Sequence, residues 1–119
     1  MSLVGTAMTQ ALARYLDVTA ARQAVIANNI ANMDTPGYKA LDTNFGDQLH
    51  SLLSDQNNNL PVRTAEVPGL IERPDGNNVS LDREGYLLGQ TQLQFQAGAS
   101  LLRSQVRNIQ IAIREGNSQ

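Results

Sequence analysis

The sequence contains no cysteine and no tryptophan, and only two phenylalanines and three tyrosines among its 119 residues. Without cysteine there is no disulfide and no thiolate metal site, so the redox state of the compartment leaves no mark on the chain. So few aromatic rings leave few large side chains to anchor a self-contained interior. At this length one domain, residues 1–119, is the ceiling, and its core is small. A fold that leans on partners is therefore expected. A dominant charge is also missing: nine basic residues against eleven acidic ones give a formal net charge of -2. That excludes a sequence-independent nucleic-acid binder, which needs a basic face to displace counterions. No apolar run reaches the length of a membrane span, and residues 1–10 lack the basic start and apolar stretch of a cleaved secretory signal. The chain is expected to be soluble, or exported by another route. Its single histidine, His50, has no nucleophile or carboxylate partner in any motif and reads as a surface residue. No catalytic residue, cofactor, metal or small-molecule substrate is predicted.

What is present is helical periodicity at both ends. Leu12, Leu16, Thr19, Gln23, Ile26, Ile30 and Met33 recur at spacings of four and three, with Met8 extending the row, which predicts one stripe of an Ala-rich helix over residues 6–33. Near the other end Leu81, Leu88, Phe95, Leu102 and Ile109 stand seven apart, and Gly85, Gln92, Ala99, Val106 and Ile113 follow each by four. That heptad seam predicts a second helix over residues 80–115, with Ser80 as N-cap, Asp82 and Glu84 in the first turn, and Gly116 closing it. Asp82 and Glu84 read as helix-start charges rather than metal ligands, since no third ligand has suitable spacing. Gly85 weakens the start of that helix.

Between the helices, residues 34–79 read as an irregular connector. Leu49, Leu52 and Leu53 extend a helical turn after Phe45, Asn57-Asn58-Asn59 ends it, and Pro61, Pro68-Gly69, Pro74 and Asp75-Gly76 cut the rest into short pieces. Those pieces allow short strands over residues 61–67 and 70–73, paired as a small hairpin. The predicted architecture is mainly α: two long terminal helices packed antiparallel like a coiled coil. One stripe on each of two helices leaves their flanks wet, so such a pair needs neighbours.

Two motifs are more particular than any periodicity. Asn28-Asn29-Ile30-Ala31-Asn32-Met33-Asp34-Thr35-Pro36-Gly37-Tyr38-Lys39 ends the first helix in clustered asparagines and then turns. Pro36-Gly37 suits the central pair of a type II turn, with Gly37 at positive φ, and Thr35 is pushed out of the α region. Asp75-Gly76-Asn77-Asn78-Val79-Ser80-Leu81-Asp82-Arg83-Glu84 leads into the last helix. The first motif resembles the N-terminal signature of the flagellar rod, hook and filament-cap family, and the second is similar to the entry into the terminal helix of its short proximal rod members.

The resemblance implies a non-enzymatic structural subunit of the flagellar basal body, in a rod that spans the periplasm and carries torque from rotor to hook. Its implied partners are copies of itself, other flagellar rod proteins, the adaptor and rotor (MS) ring at the rod base, and the flagellar type III apparatus that exports such subunits without a cleaved signal peptide. Asn29, Asn32, Thr35, Pro36, Gly37 and Tyr38 would hold the motif turn. Leu12, Leu16, Ile26, Ile30, Leu81, Leu88, Phe95, Leu102, Val106, Ile109 and Ile113 would carry helix packing and assembly. Another rod or hook-family axial subunit, or a stand-alone helical adaptor, remains the alternative.

Overall fold

Abundant alanine, with no proline and no glycine after Gly5, gives the first segment high helix propensity, and helix α1 runs Leu3–Ala31. In this computed structural model residues 3–54 and 60–117 are described, so the expected Asn57–Asn59 break lies outside them. Strand β1 (Leu41–Thr43), helix α2 (Phe45–Leu53) and strand β2 (Thr64–Glu66) follow, and helix α3 (Leu81–Asn117) closes the chain. Ser80 does cap α3: its Oγ accepts the Arg83 N–H at 3.3 Å. Gly116 lies inside the helix rather than after it.

The two long helices run antiparallel, one residue against one. Asn29 meets Glu84, and further along a Cβ on Gly98 would sit 2.9 Å from the Tyr15 ring and 3.1 Å from Leu16. Absence of a side chain at Gly98 lets the helices approach this closely. The molecule is 72 Å long but only 24 by 15 Å across.

The connector folds back along α1. Tyr15 and Phe45 meet edge to face at 6.4 Å, and the Arg22 guanidinium lies 5.0 Å over the Phe45 ring while both its arms bind Asp42 at 3.0 and 3.1 Å. Arg14 donates to Gln48 Oε1 at 3.0 Å and to the Leu60 carbonyl at 2.6 Å, so α2 is tied to α1 by polar as well as apolar contacts. The sheet differs from expectation. β2 falls within the predicted 61–67 stretch, but it pairs antiparallel with β1, Asp42 opposite Ala65, and not with residues 70–73. Asn44 fixes that choice: its N–H donates to the Arg63 carbonyl and its Oδ1 accepts the Arg63 N–H, both at 2.9 Å.

Hydrophobic and polar side chains share the interior. Val18, Ile26, Ala40, Phe45, Val79 and Leu87 are buried, and so are Thr19, Asn29, Gln48, Asn77, Asn78, Glu84 and Thr91. An interior so rich in polar groups demands that their hydrogen bonds be made, and this directs attention to the end where most of them gather.

Candidate functional site

The two motifs singled out in the sequence interlock at the end of the helix pair where the chain leaves α1 and enters α3. Tyr38 N–H bonds the Thr35 carbonyl at 3.2 Å and Gly37 has φ 76, which closes Thr35-Pro36-Gly37-Tyr38 as the expected type II turn. Against it lies the second motif, turned by Gly76 at φ 85. Gly37 N–H donates to the Asp75 carbonyl at 2.9 Å, and a Cβ on Gly76 would come within 3.4 Å of Gly37 Cα. Two backbones this near, both at positive φ, account for glycine at both positions.

Asparagines do the joining. Asn29, fully buried, uses its whole amide: Oδ1 accepts from Leu41 N–H at 3.0 Å and Tyr38 O–H at 3.2 Å, and Nδ2 donates to Leu41 O at 2.8 Å and Glu84 Oε1 at 3.2 Å. One side chain thereby links α1, the motif turn, β1 and α3. Asn77 donates to the Asn32 and Thr35 carbonyls at 2.9 and 2.8 Å and accepts the Val79 N–H at 2.8 Å, tying the second motif to the turn that follows α1. Asn78 Oδ1 accepts the Ala40 N–H at 2.7 Å. Arg73 reaches the Met33 and Val79 carbonyls, and Lys39 reaches Glu72 and the Gly76 carbonyl.

Glu84 is the one buried carboxylate in this clasp. Its Oε1 takes Arg83 at 3.0 Å as well as Asn29, while Oε2 has no hydrogen-bond partner among the described residues. Arg83 also lies 3.8 Å from Asp42, so the Arg22–Asp42 pair and the Arg83–Glu84 pair run into one another across β1. A glutamate at this position was legible only as a helix-start charge. Asp82, beside it in sequence, is exposed.

The structure brings together all six motif-turn residues. Asn29 is buried, Asn32 and Tyr38 are half-buried, and Thr35, Pro36 and Gly37 are exposed. Thr35 Oγ1 donates to Asn32 Oδ1 at 3.1 Å, and Asn32 Nδ2 to the Asn28 carbonyl at 2.8 Å. The packing residues divide. On α1, Ile26 is buried and Leu12, Leu16 and Ile30 are half-buried. On α3, Leu88, Phe95, Leu102 and Ile109 are half-buried, whereas Leu81, Val106 and Ile113 are exposed. The row facing α1 is Glu84, Leu87, Thr91 and Gly98, set to one side of the apolar heptad. A scan for large apolar side chains passes over such a row because its members are small or polar.

Further apolar side chains of α3 are left uncovered: Tyr86, Leu93 and Leu101 are 70, 69 and 58% exposed. The heptad row, interleaved with the row facing α1, is itself only half covered, so α3 has apolar surface beyond what α1 covers. His50 is exposed and lines an open cavity of about 450 Å³ with Asp47, Ser51 and Ser54, but no hydrogen bond joins these side chains among the described residues. Among the described residues no group of three His, Cys, Asp or Glu is placed to hold a metal ion, and no helix is long and apolar enough to cross a membrane.

Residues 5–39 match the family model described as flagella basal body rod protein. The chain is 32% identical to flagellar basal body rod protein FlgB of Escherichia coli and 30% identical to that of Salmonella typhimurium, each alignment covering 86% of this chain and 89% of the relative. It is 30% identical to the protein of the same name from Borrelia hermsii, over 85% of this chain and 91% of that one.

Proposed function

The chain belongs to the FlgB family of flagellar basal body rod proteins, and we propose that it enters the rod through the uncovered apolar sides of α3, after the clasp has set the two helices in register. It is a structural component of the basal body rod and contacts other rod components. The observation that carries the proposed route is the exposure of Tyr86, Leu93 and Leu101 along a helix whose heptad row is also only half covered. Apolar surface of that extent is costly in water and is recovered when neighbouring helices pack side by side.

The function is mechanical. An α-helix resists bending and extension along its length, and the clasp locks the turn between helices with hydrogen bonds rather than with a large apolar core. Torque applied along the pair is met by that network and by the neighbours. The finer partners are copies of this chain, the adaptor and rotor (MS) ring at the rod base, and the flagellar type III export apparatus. A chain with no disulfide and few buried apolar side chains is cheap to unfold for passage through a narrow channel. No catalytic role is assigned to any residue.

Deleting the gene is expected to abolish swimming and to leave basal bodies without a complete rod, with both restored by the full chain. Undiminished swimming in the deletion strain would overturn the reading.

A further inference from the structure

Asp75-Gly76 is the one place in the sequence where aspartate or asparagine precedes glycine. That pair has a chemistry of its own. The glycine nitrogen can attack the aspartate Cγ, and because glycine has no Cβ no side chain shields that nitrogen. A C–N bond forms, and the carboxyl group, protonated from solvent, loses its hydroxyl with the amide proton as water, leaving a five-membered succinimide. Water then opens the ring at either carbonyl. Opening at Cγ returns aspartate. Opening at the main-chain carbonyl leaves isoaspartate, in which the backbone runs through Cβ and Cγ and the former main-chain carbonyl hangs as a free carboxylate.

In the clasp each group that this reaction needs is held. Gly76 N–H, the nucleophile, donates to the Arg73 carbonyl at 2.8 Å. Asp75 Oδ1 accepts the Asn77 N–H at 3.0 Å, the Asp75 carbonyl accepts the Gly37 N–H at 2.9 Å, and Lys39 Nζ donates to the Gly76 carbonyl. The peptide unit is fixed on both flanks, with Gly76 at φ 85. There is no slack for the product either. A Cβ on Gly76 already comes within 3.4 Å of Gly37 Cα. Isoaspartate would lengthen the chain by one carbon, about 1.5 Å, and would detach from the backbone the carbonyl that receives the Gly37 N–H.

We propose that Asp75 is a site of spontaneous isomerisation that the fold guards: the clasp preserves the ordinary Asp75-Gly76 linkage, and a chain that stays unfolded converts it to isoaspartate. The only co-reactant is water, and Asp75 is exposed, so the protection lies in the restrained geometry and not in exclusion of solvent. The linkage thereby acts as an age mark on chains that have not closed the clasp. This inference follows from the fold alone and does not depend on the rod reading.

The test is to age the full chain at neutral pH and one temperature, folded and unfolded, and to separate the peptide carrying Asp75 from its isoaspartyl isomer by chromatography against synthetic standards. The folded state is sampled in isolated basal bodies, and in buffer without urea where circular dichroism shows the purified chain helical; the unfolded state is the same chain in concentrated urea. Isoaspartate at Asp75 is expected to accumulate in urea at least about tenfold faster than in the folded samples, where it must wait for local opening. Asp75→Glu chain in urea, whose longer side chain cannot close a five-membered ring, should accumulate none at that position. Equal rates in folded and unfolded samples would show that the clasp guards nothing, and an Asp75 peptide unchanged in urea would remove the site itself. Either result leaves the rod reading standing, which falls only with the deletion strain that still swims.

Discussion

At the scale of single residues the chain depends on side-chain amides where a larger protein would use apolar bulk. Asn29 fills all four of its hydrogen-bonding positions with groups from three other segments. Replacing it by Leu retains volume but leaves the Leu41 N–H and carbonyl, the Tyr38 hydroxyl and Glu84 Oε1 short of a partner. A buried polar group without its bond costs about 1 to 3 kcal/mol. Asn29→Leu is expected to destabilise the purified chain by about 3 kcal/mol, read as a lower urea midpoint with an unchanged slope. Asn28→Leu, which loses two exposed bonds, to Tyr38 at 3.1 Å and to Asn32 at 3.4 Å, should cost under about 1 kcal/mol. Equal losses from the two substitutions would show that burial is not what gives Asn29 its weight.

At the scale of elements, α1 and α3 are held apart by what their facing rows contain. Gly98 lies against the Tyr15 ring, and an added methyl at 2.9 Å has nowhere to go. Gly89, on the same helix, has no atom within 4 Å of such a methyl. Gly98→Ala should therefore lower stability by about 1 to 3 kcal/mol as the helices are forced apart, while Gly89→Ala should raise it by about 0.5 to 1 kcal/mol by helix propensity alone. Opposite shifts in thermal midpoint are the expected result, and shifts of the same sign would show that the close approach at Gly98 does not matter. The same facing rows explain what was legible beforehand. Both long helices followed from period, and the Thr35–Tyr38 turn followed from the fixed φ of Pro36 and the positive φ that Gly37 tolerates. The row of α3 against α1 did not, because Glu84, Thr91 and Gly98 carry no hydrophobic signal and their place is set by Asn29 and Tyr15, residues far away in the chain. The strand partner of residues 64–66 was missed for a similar reason: Asn44 selects β1 through a side-chain contact that no local pattern encodes.

At the scale of the whole molecule, stability and assembly are separable because they rest on different sides of α3. Leu93 is 69% exposed and does little to hold the isolated chain, so Leu93→Asp should change the stability of the purified protein by no more than about 0.5 kcal/mol. In the rod the same carboxylate would be pressed between helices, where an unpaired charge costs several kcal/mol unless water reaches it. The variant is therefore expected to fold as the wild type does by circular dichroism, yet to be recovered in basal bodies at a small fraction of the wild-type amount and to swim poorly. Ile26→Asp, at a position 1% exposed, should fail earlier, losing helicity in the isolated chain before assembly is tested. The contrast between these two variants decides the matter: if Leu93→Asp entered the rod as readily as the wild type, the uncovered side of α3 would be facing solvent in the assembled structure, and lateral packing would have to run through the half-covered heptad row instead.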